Sequence, residues 1–301
     1  MGLLLLALVL TWTGVSDVAD RVRVARPSLV AAAVISLFLA FAVGAERWRR
    51  LLREAGVRRS YGSVLGVTLA GAFTTNFLPG NLGGDAARAW LVGPGRRLEG
   101  LATVIVDRLS LFACAVILGW ALVPFADPPA ELVGGLAVAT AAIGAVSLLA
   151  TGAVDLGRRA RPGGSRLVDM AAEVADAARR SFRRPSVIGV AMLLGLAYQA
   201  LVVLEVWLLA EALSLDLSYA VIGVITPVVL LVTALPISVG GLGVRELGYV
   251  AALAAVGIDA ADATTLSLLA GAAYVVASAP GAATLVMRRP VAADGIASPS
   301  S

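Results

Sequence analysis

The sequence predicts an all-α integral membrane protein: a polytopic helical bundle with an inverted-topology repeat and two re-entrant hairpins broken by glycine and proline. Three observations lead there. Apolar residues make up 59% of 301 residues and charged ones only 15%, with a mean hydropathy of +0.91, whereas soluble domains carry about a quarter charged residues. The arginines gather in a few inter-segment stretches, the pattern of membrane orientation. And the chain resembles itself at a nearly fixed distance.

The apolar segments come in order as Leu3–Val15, Leu29–Ala45, Ser63–Leu78, Leu101–Phe125, Leu132–Thr151, Val187–Leu209, Tyr219–Leu235, a weaker run Leu247–Ile258, and Thr264–Met287. Spanning a hydrocarbon core takes about 20 apolar residues as helix, and lipid offers open strands no partners. Leu3–Val15 is short, but it lacks the basic flank and small-residue cleavage site of a signal peptide. It is read as a first helix whose true start is left open. Ser165–Arg184 has apolar residues at Leu167, Met170, Ala171, Val174, Ala178 and Phe182, the spacing of an amphipathic helix on a membrane surface. The Pro/Ser/Ala-rich tail 290–301 is expected to be disordered.

Positive charge sets the orientation. Six arginines lie in Glu46–Ser60, eight in Gly152–Pro185, and Arg288–Arg289 follow the last segment, while Ala126–Glu131 and Ala210–Ser218 have none. The first three regions are therefore expected in the cytoplasm and the last two outside. Arg21, Arg23 and Arg26 break the rule, partly offset by Asp17 and Asp20. If Ser63–Leu78 crossed fully, Arg88, Arg96, Arg97 and the 152–185 region would fall on the wrong side. The conflict disappears if the segment turns inside the membrane at "NFLPGNLGGDAAR" (Asn76–Arg88) and returns. Pro79 would end the inbound helix, with Asn76, Gly80, Gly83 and Gly84 shaping the turn. Irregular backbone at that depth requires protein or a wet cavity to satisfy it.

The same device recurs. "LPGNLGGDAAR" (Leu78–Arg88) matches "LPISVGGLGVR" (Leu235–Arg245), with Pro236, Gly240, Gly241 and Gly243 as turn residues. Ser60–Val67 resembles Ser218–Val224, Glu46–Trp48 faces Glu205–Trp207, and Pro27–Ser28 faces Pro185–Ser186, at offsets of 157 to 159 residues. The arginine-rich loop of the first copy has an arginine-free counterpart in the second, so the copies face opposite sides, an architecture associated with alternating-access transport. One transmembrane domain, 1–289, is expected: repeat one about 27–125, repeat two about 185–289, joined through 126–184. Both termini come out cytoplasmic.

Ionisable residues in such turns tend to mark pathways. Asp85 reads either as an N-cap or as a buried polar group that shares a helix face with Arg88 three residues on. Arg245 follows glycines at a helix start, where freed N–H groups and a planar guanidinium favour an anion. Glu246 is expected to reach Arg88 or Arg108 across the repeat axis. Asp107 and Arg108, two turns into an apolar segment, suit either a structural network or a substrate site; Arg47 and Glu205 are further network candidates, and Glu205, near the outer end of its helix, suits either a hydrogen-bond partner, which is favoured, or a cation or proton. Trp48 and Trp207 read as interface anchors.

The chain has no histidine or lysine, and one cysteine, Cys114. His-based catalysis, Schiff bases, a P-loop lysine and Cys/His metal sites are thereby excluded. No cofactor, metal or nucleic acid is expected.

"ERWRRLLREAG" (Glu46–Gly56), "NFLPGNLGGDAAR", "VDRL" (Val106–Leu109) and "PISVGGLGVRE" (Pro236–Glu246) together resemble the transmembrane region of lysylphosphatidylglycerol synthases, the flippase-like domain, over about residues 3 to 289. In two-domain members of that family this region is thought to move an aminoacylated phospholipid between leaflets, and a soluble domain makes it. The resemblance implies a stand-alone lipid transporter of the cytoplasmic membrane, not an enzyme. Its cargo would be an anionic or aminoacylated phospholipid or a polyprenyl-linked or glycolipid carrier. Arg88, Arg108 and Arg245 would hold the headgroup, and Asp85 and Glu246 would order the turns or titrate. The alternatives are a non-catalytic subunit of an envelope-assembly complex and an intramembrane transferase. A homo-oligomer or an envelope-synthesis partner is compatible with each.

Overall fold

The computed structural model describes residues 15–78, 82–93, 97–159, 185–234 and 243–287. Among them every regular element is a helix. In chain order these are α1 (Val15–Val24), α2 (Pro27–Glu54), α3 (Tyr61–Thr75), α4 (Leu82–Leu91), α5 (Arg97–Ala126), α6 (Ala130–Arg159), α7 (Pro185–Ala212), α8 (Tyr219–Thr233), α9 (Val244–Ala254), α10 (Ala260–Ser278) and α11 (Pro280–Met287). Five are long and apolar enough to cross a membrane: α2, α5, α6, α7 and α10. The expected first helix Leu3–Val15, the turn residues Pro79, Gly80, Pro236, Gly240 and Gly241, the amphipathic helix 165–184 and the tail lie outside the described residues.

Local chemistry explains most of the ends. Pro27 opens α2 at a position where its missing N–H costs nothing. Ser60 and Ser218 cap α3 and α8, each accepting from the backbone N–H three residues on. Asp259 caps α10, its Oδ1 accepting from Ala261 N at 2.8 Å and Asp262 N at 2.9 Å. The expected single segment Thr264–Met287 is two helices, because Pro280 cannot donate the bond that would continue α10.

Two expectations are revised. The stretch with Arg21 and Arg23 is helix α1, and its arginines are paired more widely than the expected offset by Asp17 and Asp20. Arg23 does pair with Asp20 at 3.2 Å, but Arg21 pairs with Asp259 at 3.1 Å and with Asp262, and Arg26 donates to the Glu211 carbonyl. Trp48 is buried rather than interfacial, its Nε1 donating to Thr103 Oγ1 at 3.1 Å. Trp207 lies half-buried against the main apolar core.

α2 and α7 run against each other as the central pair. Their starts and ends differ by one shift of 158 residues (27 to 185, 54 to 212), and so do those of α3 and α8 (61 to 219, 75 to 233). Hydrogen bonds follow the same shift: Tyr61 Oη donates to Ala42 O at 3.1 Å, and Tyr219 Oη to Ala200 O at 2.9 Å. The halves also interlock. α3 packs on α10 and α11, and α8 packs on α5. A Cβ on Gly281 of α11 would stand 2.2 Å from Leu69 of α3, and one on Gly119 of α5 would stand 3.0 Å from Pro227 of α8. Leu69 and Pro227 are again 158 apart. These correspondences support the repeat read in the sequence.

Candidate functional site

α3 and α8 have 15 residues each, a rise of about 22 Å at 1.5 Å per residue, short of a core of about 30 Å. Each is followed by another short helix folded against it, α4 on α3 and α9 on α8. Glycine makes the first hairpin tight. A Cβ on Gly84 would lie 2.0 Å from Thr75 Oγ1 and 2.4 Å from Gly71 O, so the two backbones touch, and only glycine fits. Asn76 closes α3, its Nδ2 donating to Phe73 O at 3.1 Å and reaching Ser278 Oγ in the second half at 3.3 Å.

This close approach sets Asp85 and Arg88 of α4 beside Asp107 and Arg108 of α5. Asp107 uses both oxygens: Oδ1 accepts from Arg47 Nη2 at 2.5 Å and Oδ2 from Arg88 Nη2 at 2.9 Å. Arg47 also donates to Asp107 O at 2.6 Å and Ser110 Oγ at 3.1 Å. Asp85 Oδ2 accepts from Arg108 through Nε at 2.9 Å and Nη2 at 2.8 Å, while Arg88 Nη1 stands 3.5 Å from Oδ1. Arg88 lies over the Trp48 ring at 4.2 Å, a cation–π contact strengthened by exclusion of water. Arg47 is 0% exposed and Asp107 2%. Here three guanidinium groups meet two carboxylates.

The second hairpin is simpler. Gly243 has φ +80 at the start of α9, and its N–H donates to Glu246 Oε2 at 2.5 Å. Glu246 Oε1 accepts from Arg245 Nη2 at 2.9 Å and from Ser267 Oγ at 3.1 Å, and Arg245 Nε donates to Ser267 Oγ at 3.2 Å. Gly271 of α10 makes room for the arginine, since a Cβ there would lie 2.3 Å from Nη2.

The structure thus groups Arg47, Asp85, Arg88, Asp107 and Arg108 in one network and Arg245 and Glu246 in another. Of the two readings of Asp85 it supports the buried polar group: Asp85 lies within the first turn of α4, and its carboxylate goes to Arg108 and faces Arg88. One expectation is corrected. Glu246 does not reach Arg88 or Arg108; its oxygens are taken by Arg245, Ser267 and Gly243, which are nearer in chain and space.

Between the networks lies a cavity of about 170 Å³. Arg108 and Arg245 reach it from opposite halves, with Tyr198, Glu205, Tyr249 and Tyr274 among its walls. A second cavity of about 70 Å³ holds Asp85, Arg88 and Asp107, and shares Arg108, Leu111, Tyr198 and Tyr274 with the first. Sequence reasoning missed Tyr198, Gln199, Tyr249 and Tyr274. Gln199 was the findable one, an amide in the middle of an apolar run. Among the described residues no group of three His, Cys, Asp or Glu side chains is placed to hold a metal. The chemistry available is anion binding: planar guanidinium donors at the wall of a cavity, in a low-dielectric setting that strengthens each interaction.

The chain matches, over residues 1–281, the family model described as the lysylphosphatidylglycerol synthase TM region. No curated protein and no solved structure was found to match it significantly. A match over nearly the whole chain, on a bundle of long apolar helices, makes this a multi-pass membrane protein related to lipid handling, and the chain belongs to the lysylphosphatidylglycerol synthase TM region family.

Proposed function

We propose that the protein is a lipid flippase of the cytoplasmic membrane. Its cargo would be an anionic or aminoacylated phospholipid, or a polyprenyl-linked or glycolipid carrier, moved between leaflets. The observation that carries the reading is the cavity between two arginine networks in an otherwise apolar bundle. Burying such charges is costly, and a site that faces a cavity from both halves gives them a use. Arg108 and Arg245 hold the headgroup from the two halves, with Arg88 behind Arg108. Asp85 and Glu246 hold the guanidinium groups in register. The α3–α4 and α8–α9 hairpins enter the membrane from opposite sides, and rocking of one half against the other exposes the cavity to each leaflet in turn. The short α3 and α8 and the shared 158-residue shift support this arrangement. The protein acts as a transporter, with membrane lipid as its substrate and both termini in the cytoplasm.

The test is movement of fluorescent lipids in proteoliposomes, read by quencher accessibility. Phosphatidylglycerol, an aminoacylated phospholipid and a polyprenyl phosphate would be compared. Arg245→Gln is expected to abolish movement of the transported class while the protein still folds. Equal movement by the variant sinks the assignment of Arg245. No movement of any lipid by folded wild type sinks the flippase reading and favours an assembly subunit.

A further inference from the structure

Glu205 is used by neither network. Its side chain is 3% exposed, it lines the central cavity, and its Oε1 has no hydrogen-bond partner. Among the described residues no cation lies within ion-pair distance of it. Gln199, six residues earlier on α7, is in the same position. Its Nε2 donates to Leu111 O at 2.9 Å, which leaves Oε1 buried and unpartnered in the same cavity. Of the nearby hydroxyls, Thr226 adds an acceptor, since it has committed its proton to Ile222 O at 2.7 Å, and the phenols of Tyr198, Tyr249 and Tyr274 complete the polar lining. One wall of the cavity therefore offers oxygen lone pairs, while Arg108 and Arg245 offer positive charge. Orphaned buried acceptors call for an occupant, and an ionised carboxylate buried without a partner is among the costliest arrangements in a protein.

We infer that Glu205 binds a small monovalent cation, a proton or a sodium ion, whose presence sets the affinity of the cavity for an anionic headgroup. Charge counting gives the coupling. Among the described residues four guanidinium groups, Arg47 buried and Arg88, Arg108 and Arg245 partly buried, face the carboxylates of Asp85, Asp107, Glu246 and Glu205. With Glu205 empty the set is balanced. With a cation on Glu205 one positive charge is in excess, and the cavity draws an anion. Cation and anion then enter and leave together. The titratable and charged groups facing the cavity are Arg108 from α5, Tyr198 and Glu205 from α7, Arg245 and Tyr249 from α9, and Tyr274 from α10. Among the described residues α2 and α8 line it without one, so Glu205 is the only acid there. The inference rests on the transport reading for its use, but the site itself is testable without transport.

The experiment uses the full chain in lipid nanodiscs. Radioactive sodium binding reads the sodium arm. The infrared C=O stretch of a protonated carboxyl, followed between acid and alkaline buffer, reads the proton arm. Wild type is expected to show saturable sodium binding or a pH-dependent carboxyl band. Glu205→Gln should lower sodium affinity at least about tenfold, as loss of a charged ligand does, or remove the band. Glu205→Asp should keep the response at a shifted position, which guards against misfolding of the glutamine variant. Binding of dioctanoyl phosphatidylglycerol should rise with the cation in wild type and be independent of it in Glu205→Gln. Absence of both sodium binding and a pH-dependent band, or a glutamine variant that matches wild type, overturns the proposal. Cation binding by a protein that moves no lipid leaves the site standing and removes the flippase reading. Lipid movement without cation binding does the reverse.

Discussion

Removing the Asp107 carboxylate strands Arg47, whose guanidinium would keep only Ser110 and a backbone carbonyl in a fully buried setting. Breaking a buried ion pair from one side costs about 3–5 kcal/mol. Asp107→Ala should therefore lower the thermal midpoint of the detergent-solubilised protein markedly, and an unchanged melt would show that the network is not what holds α2 to α5. Glu46, one residue before Arg47, makes the contrast. It pairs with Arg49 and Arg50 at the half-exposed end of α2, where such pairs contribute about 0–1 kcal/mol, so Glu46→Gln should leave the melt nearly unchanged. Asp85, Arg88, Asp107 and Arg108 were legible in the sequence because charge inside an apolar run is rare and costly. The choice of partners was not. Glu246 pairs with its own neighbour because Gly243 and Ser267 converge on the same carboxylate, and that convergence depends on how α9 meets α10.

At the scale of elements, the helices are spaced by where glycine permits contact. A methyl on Gly281 would lie 2.2 Å from the Leu69 backbone, which cannot yield as a side chain can. Gly281→Ala should therefore push α11 off α3 and cost about 1–3 kcal/mol. Gly134, exposed on α6 with open space around its Cβ position, should accept alanine with a gain of up to about 1 kcal/mol from helix propensity. Paired melts of the two variants check both, and equal effects would show that the α3–α11 contact is not tight. The sequence located the elements well and their ends less well. The run Ser63–Leu78 is apolar past the point where α3 stops at Thr75, since hydrophobicity does not distinguish helix from turn. Pro280, which divides α10 from α11, was a visible stop signal inside the run Thr264–Met287.

For the whole molecule, the decisive question is whether the halves face opposite ways across the bilayer. The native Cys114 is buried, so introduced cysteines report without interference. Arg58 and Asp216, which follow α2 and α7, are both exposed. Arg58→Cys should react with a membrane-impermeant thiol reagent only from the cytoplasmic side, and Asp216→Cys only from the outside. Labelling of both from one side would remove the inverted arrangement and with it the rocking mechanism.

The sequence by itself determined that this chain is a helical membrane protein, which segments are apolar, where charge is buried, and that two stretches 158 residues apart are alike. These are properties of composition, spacing and the cost of charge in lipid, and each is local or periodic along the chain. Only the tertiary structure decided that Arg47 is sealed under Asp107, that Trp48 backs Arg88 instead of the membrane interface, and that Arg21 answers to Asp259. It alone decided that Glu205 and Gln199 present unmatched oxygens to a cavity. The reason is physical: a long side chain in a low-dielectric bundle takes the nearest group of opposite charge, and which group is nearest is set by helices far apart in sequence that pack where glycine lets them.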